Sequence, residues 1–88
     1  MSEKNYKDLK HFIGKITREQ RLIHKNFSLE ELGQEVKVDA NHLSRIERGK
    51  HLPGTITFLK LSHELEIPLN DFIPQAIEII NWYEQNKM

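Results

Sequence analysis

The stretch from Ser28 to Lys50, S-L-E-E-L-G-Q-E-V-K-V-D-A-N-H-L-S-R-I-E-R-G-K, decides the fold. Ser28 is a favoured helix N-cap residue, and Glu31 three residues later completes the capping-box pattern S-x-x-E. Apolar residues then recur at three- and four-residue spacing, at Leu29, Leu32 and Val36. This spacing predicts a short helix with one apolar face.

A second short helix is predicted after a tight turn. Val36-Lys37-Val38 is too short to form a strand, and Asp39 is a favoured N-cap residue. Leu43 and Ile46 form the buried stripe of this helix, and Gly49 supplies the left-handed residue that ends it. The stretch therefore predicts two helices joined by a turn.

Burial of Leu43 and Ile46 determines which side chains of the second helix face outward. The outward side chains are small, hydrogen-bonding or cationic, as a helix in a DNA major groove requires. Asn41 would pair with adenine, Arg45 would pair with guanine, and Ala40 would touch a thymine methyl group. The candidate base-reading residues are Ala40, Asn41, Ser44 and Arg45.

Contacts with the DNA backbone are predicted on either side of these residues. Arg48, Lys50 and His51 directly follow the second helix and are candidates for phosphate contacts. The backbone amides at the start of the first motif helix, at Ser28 and Leu29, are further candidates because helix N-termini favour anions. The predicted partner is therefore double-stranded DNA.

The run V-D-A-N-H-L-S-R-I-E-R-G-K at Val38–Lys50 resembles the helix-turn-helix of the Cro/repressor family, also called the xenobiotic-response-element family. Pro53–Ile73 is similar to the family's two closing helices. The resemblance implies an all-α fold, with a compact five-helix repressor-like DNA-binding domain at residues 1–73 and its motif at residues 28–48. It also implies a transcriptional regulator, a repressor that binds a palindromic operator as a homodimer.

Three residues depart from the family's pattern. Lys37 occupies a turn position where the family has Gly, so either it adopts a positive φ angle, at a cost of about 1 kcal/mol, or the turn differs. Gly33 replaces a small Ala, which permits close helix contact but weakens the helix by roughly 1 kcal/mol. Leu29 replaces a Gln that touches DNA in the family.

A long first helix is predicted from Tyr6 to about Lys25. Its apolar face carries Leu9, Phe12, Ile13, Ile16 and Ile23. Its other face carries Lys7, Lys10, Lys15, Arg18 and Arg21. This basic face is either a solvated surface or, through Arg18 or Arg21, a source of phosphate contacts. The family resemblance also implies that Glu47 forms an ion pair with Arg18 or Arg21.

The C-terminal half predicts three more helices. The fourth spans Thr55–Leu65, with inward residues Ile56, Leu59 or Phe58, Leu61 and Leu65. A short fifth helix spans Leu69–Ile73, and Pro74 opens a sixth helix because proline is tolerated at the first helical position. The segment 74–88 is therefore predicted to be a separate C-terminal helix.

The apolar residues of this C-terminal helix cover more than one face, which favours a dimer interface. If Ile77 and Ile80 face the core, then Ile79, Trp82 and Tyr83 remain partly outside it. The candidate dimerisation residues are Ile73, Ile77, Ile79, Ile80, Trp82 and Tyr83.

Composition restricts the remaining functions. The 88 residues form one domain, and the absence of Cys excludes a disulfide scaffold and a thiolate metal site. No apolar run approaches a membrane span, and the polar start Met1–Asn5 is unlike a secretory signal, so a cytoplasmic location is expected. The five His residues lack metal-ligand spacing, and no catalytic motif occurs. We therefore expect no metal, no cofactor and no enzyme activity.

The net charge of zero argues against DNA binding, but the charges are unevenly distributed. Residues 1–27 carry seven Lys/Arg and three Asp/Glu, a net charge of +4, while residues 53–88 carry two and five, a net charge of −3. A protein that presents one basic side to phosphates has this polarity.

Three possibilities remain open from the sequence. The leading one is a small regulator typical of bacterial plasmids, phages or mobile elements. The second is a protein-interaction module, such as an antitoxin or antirepressor, whose main partner is a regulatory protein or peptide held by the helix of Trp82. The third is the DNA-binding domain of a larger regulator.

Overall fold

The computed structural model describes residues 6–86, except for the side chain of Lys25. Met1–Asn5 and the last two residues of the predicted segment 74–88 lie outside the described residues. No strand occurs in the described part, and the helices are α1 at Lys7–Gln20, continued by a π-helical turn at Arg21–Lys25, α2 at Leu29–Val36, α3 at Ala40–Glu47, α4 at Thr55–Leu65 and α5 at Leu69–Gln85. The all-α, five-helix fold is therefore confirmed.

The predicted caps of the motif helices are present. The Glu31 N–H donates to Ser28 Oγ at 3.0 Å, and the Ser28 N–H donates to Glu31 Oε1 at 2.9 Å. The Asp39 carboxylate accepts a hydrogen bond from the Asn41 N–H at 2.9 Å, which fixes the first turn of α3. Gly49 ends the motif with a φ of 75°, as predicted.

The turn between α2 and α3 resolves the alternatives left open for Lys37. Its φ of 58° lies in the left-handed region, so a residue with a side chain takes the conformation that favours Gly. Gly33 is also required sterically, because a Cβ atom there would lie 2.6 Å from the Val38 carbonyl oxygen. The absence of a side chain at Gly33 thus lets the turn fold back onto α2.

The core forms where α1 and α4 close over the motif helices. Leu32, Leu43, Ile46, Leu61 and Leu65 are all fully buried at its centre. Leu9 of α1 and Phe72 and Ala76 of α5 extend this core.

Helix α1 crosses the last turn of α3 at very short distance. A Cβ atom on Gly14 would lie 2.5 Å from the Ile46 carbonyl oxygen and 2.7 Å from that of Glu47. Only Gly fits at this crossing without a shift of one helix, so the position of α3 relative to α1 is tightly constrained.

A buried ion pair locks the same crossing. Arg21 donates from Nε and Nη2 to the two carboxylate oxygens of Glu47, at 2.7 and 2.8 Å, and from Nη1 to the Phe27 carbonyl oxygen at 2.6 Å. The hydrogen bond to Glu47 raises the pKa of Arg21 above its ordinary value, against the opposing effect of burial. Of the two arginines that the sequence offered as partners for Glu47, the structure selects Arg21.

The structure corrects the predicted break at Pro74. Residues 69–85 form one helix that continues through Pro74, so no separate sixth helix is present. Proline removes one hydrogen bond and crowds the carbonyl four residues earlier, at a cost of about 3 kcal/mol. Phe72 and Ala76 lie two residues before and two residues after Pro74, and both are buried on one side of α5. Their packing against the core keeps the helix continuous through Pro74.

Three predicted inward residues are exposed. Ile23 is 71% exposed because the π-helical turn holds more residues than an α turn, so its side chain no longer follows the stripe of α1. Ile56 and Leu59 are 70% and 59% exposed. The inward stripe of α4 instead runs through Phe58, which is half-buried, and through Leu61, Ser62 and Leu65, which are buried.

We predict that Glu47→Gln lowers the free energy of unfolding by about 3 kcal/mol, because it leaves the buried Arg21 guanidinium without its counter-charge. Chemical denaturation followed by circular dichroism would measure the loss. Glu19→Gln removes an exposed carboxylate from α1 and should change stability by less than about 0.5 kcal/mol. Equal losses in the two variants would contradict a stabilising role for the pair.

Candidate nucleic-acid interface

The outer surface of α3 is defined by the two residues that it buries. Leu43 and Ile46 have no exposed surface, and Asn41 and Arg45 lie on the opposite side of the helix, where both are exposed. Ala40 and Ser44 are half-buried beside them. The four predicted base-reading residues therefore form one continuous strip along α3.

The turn after α3 extends this strip with positive charge. The Lys50 N–H donates to the Arg45 carbonyl oxygen at 2.8 Å, and the Gly49 N–H donates to that of Ile46 at 3.1 Å. This compact turn leaves the predicted phosphate contacts Arg48, Lys50 and His51 exposed. The His51 ring lies 6.0 Å from the ring of His42, which is half-buried on the other flank of α3.

The start of α2 is less favourable to an anion than the sequence suggested. The Ser28 N–H is engaged by the Glu31 carboxylate, and Glu30 is exposed beside it. Leu29 is half-buried and its side chain packs against the core, so only its backbone N–H can donate a hydrogen bond to an anion. The amides of the first turn thus lie next to two negative charges.

Of Arg18 and Arg21, the two residues of the first helix predicted as alternatives for a phosphate contact, Arg21 is occupied inside the domain. Arg21 is 9% exposed, and its guanidinium donates three hydrogen bonds to Glu47 and Phe27. Arg18, by contrast, is exposed on α1.

The structure also places basic residues of α1 next to basic residues of the turn after α3. Lys7, Lys10 and His11 of α1 line a cleft of about 250 Å³ together with Arg48, Gly49 and Lys50. Their spacing of three and four residues was the available signal, because it places Lys7, Lys10 and His11 on one face of α1. No sequence pattern indicated that this face of α1 lies beside the turn after α3.

The predicted dimerisation residues divide between two sides of α5. Ile73 and Ile77 are 48% and 47% exposed, so Ile77 does not face the core as the sequence analysis supposed. Trp82 is 56% exposed but lies about 140° further around the helix than Ile77. Ile79 and Ile80 are half-buried against the core.

Tyr83 belongs to the domain's own packing. Its ring lies 5.0 Å from that of Tyr6, and its hydroxyl oxygen accepts a hydrogen bond from the Asp8 N–H at 3.1 Å. These contacts hold the C-terminal end of α5 against the start of α1.

Residues 6–86 contain no group of three or more His, Cys, Asp or Glu side chains placed to hold a metal ion. None of the described helices has the length and apolar character needed to cross a membrane.

Comparisons with known proteins identify the family and the fold. A family model described as helix-turn-helix matches residues 18–72, and the chain belongs to this Cro/C1-type family of DNA-binding transcriptional regulators. The crystal structure of the clp gene regulator ClgR from Corynebacterium glutamicum aligns with a TM-score of 0.66 over 88% of this chain and 82% of that chain. Their sequence identity is 24%, so this likeness concerns the fold. Comparison with curated protein sequences gives no match.

Proposed function

We propose that this DNA-binding regulator is a repressor that acts in the bacterial cytoplasm and binds a palindromic operator as a homodimer. The observation that carries the proposal is the strip of Asn41 and Arg45 opposite the buried pair Leu43 and Ile46. Placed in the major groove, this strip reads bases through side chains whose direction the core fixes.

Each residue of the strip has a distinct role. Asn41 pairs with adenine and Arg45 with guanine, each contributing roughly 1–3 kcal/mol of discrimination, and Ala40 and Ser44 pack against the groove between them. Arg48, Lys50 and His51 contact phosphates and set the orientation of α3. The amides at Ser28 and Leu29 contribute weakly, because Glu30 and Glu31 lie beside them.

The homodimer follows from what one recognition helix can read. A single helix contacts only a few base pairs, whereas a two-fold dimer doubles the site and sets the half-sites about 34–36 Å apart. A self-complementary apolar surface is needed for such a dimer.

The exposed stripe of Leu69, Ile73 and Ile77 on α5 offers that surface. It adjoins an apolar cleft of about 310 Å³ whose lining includes Leu52 and Ile80. Because Leu52 follows the turn after α3, an interface across this cleft lies close to the DNA-facing residues. We propose Ile73, Ile77 and Ile80 as the contacts of this interface, whereas Ile79, Trp82 and Tyr83 mark an alternative interface on another side of α5.

The same cleft favours a second candidate function. Its lining is almost wholly apolar, and it would accept an apolar helix of a regulatory protein, as in an antitoxin or antirepressor. In that case the main partner is a protein, and binding to DNA is secondary.

Selection of bound sequences from random DNA tests the leading proposal. We expect an inverted repeat with half-site centres about one helical turn apart, bound with an affinity that falls steeply as salt rises. Recovery of no preferred sequence, with no binding above that of random DNA, would reject the repressor and favour the protein-interaction module.

We expect Arg45→Ala to weaken binding to the selected site by roughly 1–3 kcal/mol and to relax the preference at one base of each half-site. Lys50→Ala is the matched control, since it should weaken all sequences alike and lower the salt slope by about one unit per bound subunit. Fluorescence anisotropy titrations on selected and random DNA measure both effects. If Arg45→Ala weakens both DNAs equally, Arg45 contacts only phosphate.

The interface on α5 can be tested with exposed residues, so that folding is retained. Ile73→Ser with Ile77→Ser should convert the dimer to a monomer in sedimentation equilibrium, because it removes the apolar stripe. Trp82→Ser is the control, since Trp82 is also exposed but lies on another side of α5. A dimer that survives the double substitution and dissociates with Trp82→Ser would place the interface around Trp82.

A further inference from the structure

The basic cleft between α1 and the turn after α3 is lined by Lys7, Lys10 and His11 on one side and by Arg48, Gly49 and Lys50 on the other. Apart from Gly49, every lining residue has a basic side chain. Within residues 6–86 the ion pair found is that of Arg21 and Glu47, which lies outside this cleft. The charges of the cleft are therefore not neutralised by a described carboxylate.

The fold holds the two sides of the cleft together rigidly. A Cβ atom on Gly49 would lie 2.8 Å from His11 Nδ1, and the φ of 75° at Gly49 further disfavours any other residue. The Gly14 crossing three residues after His11 fixes α1 against the end of α3. The basic residues are thus brought together by close backbone packing, not by flexible side chains alone.

The helix dipoles favour only two of the four Lys and Arg residues in this cluster. Arg48 and Lys50 lie at the C-terminal end of α3, where the helix dipole favours cations. Lys7 and Lys10 lie in the first turns of α1, where the dipole is positive and favours acidic residues instead. Lysines placed against the local dipole and beside three other basic residues indicate a site for an anion.

We propose that this cleft binds backbone phosphates of DNA that flank the half-site read by α3, so that α1 extends the contact beyond the helix-turn-helix. The proposal rests on the proposed function. A strand that passes the turn at Arg48 and Lys50 continues directly to Lys7 and Lys10. Long lysine side chains around an open cleft suit successive phosphates of a strand better than one small enclosed anion.

The double variant Lys7→Gln with Lys10→Gln tests the cleft. Its matched control is Lys15→Gln with Lys60→Gln, which removes the same charge from exposed positions outside the cleft. Binding to the selected site and to random DNA is measured by fluorescence anisotropy over a series of salt concentrations. We expect the first variant to lower the salt slope by about two units per bound subunit, or nearly four for the dimer, on both DNAs and to keep the base preference, because each phosphate contact contributes about 0.9.

A second experiment varies the length of the DNA. Shortening the duplex outside the selected half-sites should weaken the wild type and the control variant, and leave the cleft variant almost unchanged. An unchanged salt slope in the cleft variant, while the wild type still binds its site specifically, overturns this proposal alone. Failure of the wild type to bind any DNA specifically overturns the proposed function instead.

A third experiment, with inorganic phosphate, tests whether the cleft binds a free small anion and not the DNA backbone. The thermal midpoint of the protein without DNA is compared in phosphate and chloride at equal ionic strength. We expect the change in thermal midpoint between chloride and phosphate to be the same for the wild type and the cleft variant. A higher thermal midpoint in phosphate than in chloride that is lost when Lys7 and Lys10 are replaced, together with no effect of shortening the DNA, would contradict the proposal. The occupant of the cleft would then be a small anion and not flanking DNA.

Discussion

The buried ion pair between Arg21 and Glu47 is the interaction on which the placement of α3 depends. Glu47 is the last residue of α3, and Arg21 joins it to α1 and, through the Phe27 carbonyl, to the segment before α2. A buried pair of this kind contributes little net stability compared with apolar packing, but loss of either partner is costly. Its effect is therefore to exclude other arrangements of these three segments.

Burial and charge act together on the side of the domain that we propose to contact DNA. The core takes Leu43 and Ile46 and so directs Asn41 and Arg45 outward, while the Gly14 crossing brings the basic start of α1 beside the turn after α3. The chain has no net charge, yet Lys7, Lys10, Arg48 and Lys50 are gathered in one cleft. Distribution, rather than net charge, decides whether such a domain attracts phosphates.

Helix α5 illustrates how packing can prevail over local propensity. The prediction of a break at Pro74 was wrong because Phe72 and Ala76 are buried by the rest of the domain, which offsets the cost of a proline inside the helix. The continuous helix then presents Ile73 and Ile77 on its exposed side. A domain of this size has too little core to cover every apolar side of a 17-residue helix.

The sequence by itself determined the all-α class, the bounds of α4, the caps at Ser28 and Asp39 and the outward strip of α3. These features depend on neighbours within one turn of helix, so spacing and residue type suffice. Tertiary structure decided which arginine pairs with Glu47, which side of α5 is exposed, and that Lys7 lies beside Lys50. Those outcomes depend on where helices cross, and that is fixed by contacts between residues far apart in sequence, such as Gly14 with Ile46.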